Sequence, residues 1–292
     1  MNDEDQTASK SRKLFDTARR IMPGGVSRNT IYREPNPDYA AWGKGCRVTD
    51  IDGTTRIDFA NNMASLIHGH ARTEIVAAVT EQLKRGTAFT MANEAEFGLA
   101  QVLCNRVPWF DQIRFMNSGT EAVMAAIKAA RAITGRPAIA KAEGTYHGTY
   151  DYAEVSQNAS PEVWGDLDQP DSVPVATGTP DSVLNDVVVF PFNDTQRTLH
   201  LLEKRAKDLA CVLVDLIPQR AGLIPARNEY VAEIRNWCNR NRVLLIFDEV
   251  ISFRMGYAGA AGWYDVEPDL TTLGKIIGGG FPVGALAGRH EY

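Results

Sequence analysis

Lys275 stands in the run Thr271-Thr272-Leu273-Gly274-Lys275-Ile276-Ile277-Gly278-Gly279-Gly280, one lysine among apolar residues and glycines just after a strand-like stretch. Desolvation lowers the pKa of an amine, and the neutral amine is the form that attacks an aldehyde to make a Schiff base. Once displaced, the same amine can shuttle a proton. A surface lysine in a Gly-rich turn would share this local sequence, its stem packed and its charge in water. A nucleotide-binding loop is disfavoured, because the Walker pattern sets glycines before its lysine and Ser or Thr after it, whereas Ile276 follows here.

Three other segments carry groups that suit a flat, phosphorylated ligand. Leu244-Leu245-Ile246-Phe247-Asp248-Glu249-Val250 is an apolar strand delivering two acids at its C-terminal end, where open α/β sheets bind ligands. A carboxylate there can pair with a protonated ring nitrogen; solvated loop acids or a helix cap would read the same way. In Phe115-Met116-Asn117-Ser118-Gly119-Thr120-Glu121 a strand ends and an Ala-rich helix begins. Its backbone N–H groups, two hydroxyls and helix dipole suit a phosphate, and a plain helix cap explains the same residues. Glu143-Gly144-Thr145-Tyr146-His147-Gly148 sets an aromatic ring and an imidazole between glycines that allow close backbone approach, so Tyr146 can lie on a heteroaromatic ring; a surface turn is the alternative.

The elements that must position these groups alternate along the chain. Strand candidates are Ile113 to Met116, Ala138 to Lys141, Val187 to Phe190, Val212 to Asp215, Leu244 to Phe247, Leu270 to Leu273 and Val283 to Ala287. Helical periodicity covers Glu74 to Lys84, Glu94 to Val107 and Glu121 to Thr134, the last stopped by Gly135 and Pro137. Leu199, Leu202, Ala206 and Leu209 form one further stripe, and Val231, Ile234, Trp237 and Cys238 another. This order predicts an α/β fold with a mainly parallel sheet covered on both faces. Before it come a short helix from Ser11 to Met22 and a hairpin about Asp52-Gly53, an α+β segment over residues 1–70 ahead of a large domain over 71–292. Gln157 to Asp186, rich in Asp, Pro, Ser, Thr and Gly, reads as a long surface excursion.

Bulk properties exclude several functions. The 292 residues are 44% hydrophobic and carry a formal net charge of -5, which gives no basic footprint for nucleic acid or an anionic membrane. No uncharged apolar run reaches the roughly 18 residues needed to span a bilayer, and Met1 to Arg20 is polar, so the expected address is the cytoplasm. Cys46, Cys104, Cys211 and Cys238 lie far apart with no CxxC pair, which predicts free, buried packing thiols and no metal site.

Taken in order, Ser118-Gly119-Thr120, Tyr146-His147-Gly148, Asp248-Glu249-Val250 and Lys275 resemble the active-site series of class III aminotransferases, which have the fold-type I pyridoxal-phosphate (PLP) architecture. The likeness runs over nearly the whole chain. It implies that Lys275 binds PLP covalently, that Asp248 pairs with the pyridine nitrogen, and that Tyr146 and Val250 sandwich the ring. It further implies that Ser118, Gly119 and Thr120 bind the phosphate, that His147 belongs to the cofactor site, and that the protein is a homodimer with shared active sites. The family continues through a further stretch of sheet and a C-terminal domain beyond Tyr292, so the chain is expected to be a fragment of weak stability and activity.

Within the class, Thr271 to Gly280 and Pro23-Gly24-Gly25-Val26 look most like glutamate-1-semialdehyde 2,1-aminomutases and the β-amino-acid aminotransferases close to them. The aminomutases carry a tryptophan where Met63 stands here. Ser27-Arg28-Asn29-Thr30 resembles the stretch that holds the substrate carboxylate in β-phenylalanine-type transaminases, with Arg28 matching its arginine. An arginine clamp suits a carboxylate. Asp215-Leu216-Ile217 departs from the usual Glu-Pro. The first expectation is therefore transfer of an amino group from a β- or ω-amino acid to a 2-oxo acid through Lys275. The alternatives are an aminomutase moving the group within one molecule, and a catalytically silent PLP-fold binding subunit.

Overall fold

Strand residues that alternate in sequence bury on opposite faces of one sheet. In Ala138–Ala142, Ala138, Ala140 and Ala142 pack into one hydrophobic cluster with Phe190, Val212, Leu245 and Phe247, while Ile139 packs into a second with Val189, Leu213 and Ile246. Period-two geometry sends neighbours to opposite sides, and a strand buried on both faces must be covered twice. This computed structural model describes residues 9–292 and divides between Ala88 and Phe89 into two compact units. The sequence expectation divided at 70/71; the structure groups the helix that follows with the first unit. The beginning of the polar stretch from Met1 to Arg20 lies outside the described residues.

In the second unit the strands are β4 (Gln112–Met116), β5 (Ala138–Ala142), β8 (Val187–Phe190), β9 (Leu209–Val214), β10 (Leu244–Asp248), β11 (Leu270–Gly274) and β12 (Gly284–Gly288). They lie in the order β4-β12-β11-β10-β9-β5-β8, all parallel except β12, which runs antiparallel to both neighbours. All seven expected strands are in this sheet. Helix α4 (Gly119–Thr134) covers one face through Val123, Ala126, Ile127 and Ala130, and ends at Gly135 in the left-handed conformation (φ 68°) that glycine tolerates. Helices α5 (Thr195–Lys204) and α6 (Asn228–Asn241) supply Leu201, Leu202, Tyr230, Ile234 and Trp237 to the other face. Helix α3 (Glu94–Arg106) precedes β4.

One sequence expectation fails here and another gains detail. The stripe through Leu209 is not one helix: α5 stops at Lys204, and Leu209 opens β9 opposite Ala138. Spacing alone could not separate a last helical position from the first residue of a buried strand. The segment from Gln157 to Asp186 has more structure than a bare excursion, with a two-residue ladder of β6 (Gly165–Asp166) and β7 (Gln169–Pro170) and a short helix at Asp181–Asn185.

The first unit holds α1 (Lys10–Ala18), α2 (Thr73–Leu83) and an antiparallel sheet of β1 (Ala40–Lys44), β2 (Arg47–Asp50) and β3 (Thr55–Ile57). Ser9 caps α1 by accepting from Arg12 N. That helix ends before the expected Met22, which is extended (φ -128°, ψ 126°), the conformation favoured before proline. The hairpin from β2 to β3 is the expected one; its turn closes on the Asp50 carboxylate, which accepts from the backbone N–H groups of Asp52 and Thr54. Cys46 lies in the turn from β1 to β2 and is exposed, contrary to the expectation of four buried thiols; Cys211 and Cys238 are buried and Cys104 partly so. Among the described residues no helix is long and apolar enough to cross a membrane.

Candidate active site

Three adjacent parallel strands each release an ionisable side chain at their C-terminal ends. Asp215 follows β9, Asp248 closes β10, and Lys275 follows β11. In the ladder Phe247 pairs with Val214 and Asp248 with Thr272, so these three ends lie side by side at the edge where α/β sheets place ligands.

Asp248 is buried and fully hydrogen-bonded. Its Oδ2 lies 2.7 Å from His147 Nδ1, and its Oδ1 accepts from Val250 N and from the Thr272 hydroxyl, each at 3.1 Å. Burial presses the carboxyl upward, but the His147 contact and the bonds from Val250 and Thr272 outweigh it and hold the group below its ordinary range. On its far side His147 Nε2 is 3.0 Å from the Thr145 hydroxyl, which donates its own proton to Ala142 O. Both ring nitrogens are thus engaged by protein groups, Nδ1 by Asp248 and Nε2 by Thr145. Burial lowers the His147 pKa, against the pull of Asp248.

Ser118 and Thr120 open α4 next to this group. Ser118 is the N-cap and accepts from Glu121 N at 3.2 Å, while the Glu121 carboxylate reaches back to Asn117 N at 2.6 Å, a reciprocal cap. Thr120 Oγ1 accepts from Thr149 N at 3.3 Å, which joins the helix start to the loop that carries Tyr146 and His147. A methyl group added at Gly148 would meet Thr120 Oγ1 at 2.6 Å, and one added at Gly119 would meet Val250 Cγ1 at 2.8 Å. Gly274, just before Lys275, also faces Val250 and the Gly119 backbone. The missing side chains of Gly119, Gly148 and Gly274 thus let these segments close on Val250 and Thr120.

Tyr146 is half-buried, with the Arg220 guanidinium 4.9 Å from its ring centroid. Lys275 adopts φ 47°, in the left-handed region that non-glycine residues seldom enter and that recurs at functional sites. Burial lowers its amine pKa, and Asp248 and Asp215 work in the opposite direction. Asp215 is pushed up to about 7, first by burial and then by the Asp248 charge.

The structure therefore brings Ser118, Gly119, Thr120, Tyr146, His147, Asp248, Val250 and Lys275 into one unit, at loops and strand ends facing each other. Arg28 belongs to the first unit. Its Nη1 donates to Asn62 Oδ1 at 3.1 Å. Asn61, Asn62, Met63 and Ala64 all have positive φ (51°, 45°, 55° and 68°), one turn of left-handed helix without a glycine. For L-residues this costs roughly 1–2 kcal/mol per residue, and it normally occurs at single positions.

Two buried groups were not foreseen from sequence, Thr272 as a partner of Asp248 and Lys141 as an enclosed amine. Thr272 reaches Asp248 because parallel register sets them opposite, and only that register could have signalled it. Lys141, on β5, is fully buried; its Nζ donates to Val155 O at 2.7 Å and Ala142 O at 3.3 Å, and burial takes its pKa to about 7 against the opposing Glu143 charge. Glu249 is buried beneath the loop after β10 and accepts from Ala260 N at 2.6 Å and Ala261 N at 3.2 Å.

Comparison with known proteins bears on this arrangement. The family model for class III aminotransferases matches residues 34–292. The chain is 44% identical over 283 residues to a glutamate-1-semialdehyde 2,1-aminomutase of Methanothermobacter thermautotrophicus, covering 97% of this chain and 65% of that protein. Its fold is similar to an omega-transaminase from Sphaerobacter thermophilus (TM-score 0.95, 50% identity, 100% of this chain and 66% of that one). It is also similar to a β-phenylalanine aminotransferase from Variovorax paradoxus (TM-score 0.84, 35% identity, 96% and 60%). The chain thus spans about 65% of the length of the curated relatives it matches.

Proposed function

The chain belongs to the PLP-dependent class III aminotransferase family, and from that premise we propose that it moves an amino group from a β- or ω-amino acid to a 2-oxo acid. The observation that carries this reading is the set of neighbouring strand ends, with Asp248 kept ionised beside the desolvated amine of Lys275. The groups present suit PLP: a helix start for its phosphate, a buried carboxylate held ionised at one strand end and a largely buried amine after the next.

Bound PLP supplies an electron sink for bond breaking at the amine-bearing carbon. Lys275 would hold it covalently and, when released, carry a proton to and from the substrate carbon with its Nζ. Asp248 would keep the ring nitrogen protonated, and His147, engaged by protein on both nitrogens, would serve by fixing that carboxylate. Tyr146 and Val250 would pack on the two ring faces. Backbone N–H groups at Gly119 and Thr120, together with the α4 dipole, would bind the phosphate, with the Ser118 hydroxyl already serving as cap. Arg28 would take the substrate carboxylate.

An aminomutase-type intramolecular transfer is the second reading, favoured by the 44% identity to a relative of that name. Met63 in place of the expected tryptophan and the 50% identical omega-transaminase support the first. Turnover of the PLP-loaded protein with an amino donor, with and without a 2-oxo acid, separates them. The transaminase reading expects product only with acceptor; sustained turnover without it overturns that reading.

A second copy of the chain is the proposed partner. Phe89, Met91, Phe97 and Val102 in and before α3 are large, apolar and exposed, a surface of the kind that docks protein. Light scattering at micromolar concentration is expected to give a dimer mass, and a monomer mass throughout would count against the pairing.

A further inference from the structure

We propose that Asn62 is a positioning residue for substrate selection, holding the Arg28 guanidinium ready for a carboxylate without neutralising it; this rests on the reading of Arg28 given above. Arg28 Nη1 donates to Asn62 Oδ1 at 3.1 Å across 34 residues of sequence. Guanidinium has five N–H donors in a planar fork, so one bond to an amide oxygen fixes the plane and leaves donors for a bidentate partner. Among the described residues no carboxylate pairs with Arg28 in a salt bridge, and its side-chain bond is to a neutral amide oxygen. An amide in that place orients the cation; an acid would occupy it.

The backbone beneath Asn62 is built to keep it there. Its left-handed turn is closed by Ser65 N donating to Asn61 O at 3.0 Å and by the Ser65 hydroxyl donating to Asn62 O at 2.8 Å. The first N–H of the turn, from Asn61, goes to Asp58 Oδ1 at 2.9 Å, and the other oxygen of Asp58 lies 2.8 Å from His70 Nε2. His70 is in turn fixed by a two-way backbone bridge with Gly45. A run of strained conformations persists only where its surroundings over-determine it, and here they do so around one side chain that points at an arginine. Asparagine is also the non-glycine residue best suited to left-handed geometry, so position 62 serves backbone and cation at once.

The proposal predicts that donors bearing an acid group depend on Asn62 and that amines lacking one do not. The test titrates the PLP-loaded full chain with 3-phenylpropionate, a carboxylate without an amine, by calorimetry, in wild type, Arg28→Ala, Asn62→Asp and Asn62→Gly. Glycine accepts the left-handed backbone, so Asn62→Gly removes the side chain while preserving the turn. Asn62→Asp keeps the shape and places a fixed negative charge on Arg28. The expected results are no measurable binding with Arg28→Ala, affinity lower by about 10-fold or more with Asn62→Asp, and a loss of about 3-fold with Asn62→Gly. Melting temperature and the visible spectrum of bound PLP should be unchanged in all three. Lost binding in Arg28→Ala with wild-type affinity in both Asn62 variants overturns the role of Asn62 and leaves that of Arg28 standing. Wild-type protein that does not bind, or Arg28→Ala that binds equally well, overturns the reading of Arg28 itself.

Discussion

His147 Nδ1 lies 2.7 Å from Asp248 Oδ2, with both side chains buried, and the imidazole is the strongest single influence keeping that carboxylate ionised in an apolar surround. The charge that would face a cofactor ring nitrogen is thus maintained from behind by a residue 101 positions away in sequence.

Replacing His147 by Ala should therefore weaken PLP binding through Asp248. A hydrogen bond to a buried charge is worth roughly 1.5–3 kcal/mol, which corresponds to about 10–100-fold in affinity. Asn at this position can still donate and should recover part of the loss. Equilibrium titration of the PLP-free protein checks this; equal affinity in His147→Ala and wild type would contradict it.

Stability should fall as pH rises from about 5 to about 7.5. Against the opposing effect of the lowered His147, burial pushes Asp215 and Glu249 up to about 7, above their unfolded values, so over this window these two acids bind more protons in the folded protein than in the unfolded chain. Their contribution is complete below the unfolded pKa and lost as pH climbs through 7, a change on the order of a few kcal/mol. Asp248 acts in the opposite sense, adding stability above the ordinary value of 3.8 that is lost as pH falls below it. Urea denaturation across this range should show the decline, and Asp215→Asn should flatten it. An identical slope in that variant would argue against a protonated Asp215.

Gly284→Ala should damage the phosphate corner from a neighbouring strand. Gly284 on β12 lies directly against the Ser118 carbonyl, and an added methyl group would overlap that backbone atom. Overpacking of this kind costs roughly 1–3 kcal/mol and here must displace the start of α4. Thermal unfolding with and without PLP should show a lower melting temperature in both states and a smaller stabilising shift from the cofactor. A normal shift would mean that the helix start does not bear on phosphate binding.

Legibility in sequence follows the range of the interaction. The central strands are apolar throughout, as in Leu244-Leu245-Ile246-Phe247, because helices cover them on both faces, and every such run is in the sheet. Strand β1 was missed, since Ala40-Ala41-Trp42-Gly43-Lys44 is mostly exposed and carries no alternation. Asp248 and Lys275 stood out as candidates from strand-end position and apolar context, but each had a plain alternative that only the ordered set of motifs weighed against. The contacts that support Asp248 could not be picked out: Thr272 depends on register, and His147, already named as a site residue, reaches the carboxylate across 101 positions of sequence. Lys141 looked like an ordinary strand residue but is wholly enclosed. The left-handed turn has no glycine, and its sole local cue is Asn61-Asn62.

The most direct test of the account distinguishes the two desolvated lysines. Lys141 and Lys275 both have lowered amine pKa values, but the amine of Lys141 is enclosed and donates to Val155 O, whereas Lys275 stands at the strand ends beside Asp248. Protein incubated with PLP, reduced with borohydride and digested should carry the cofactor's added mass on the peptide containing Lys275, and on no peptide in Lys275→Ala. Label on the Lys141 peptide, or equal label in wild type and Lys275→Ala, would contradict the assignment.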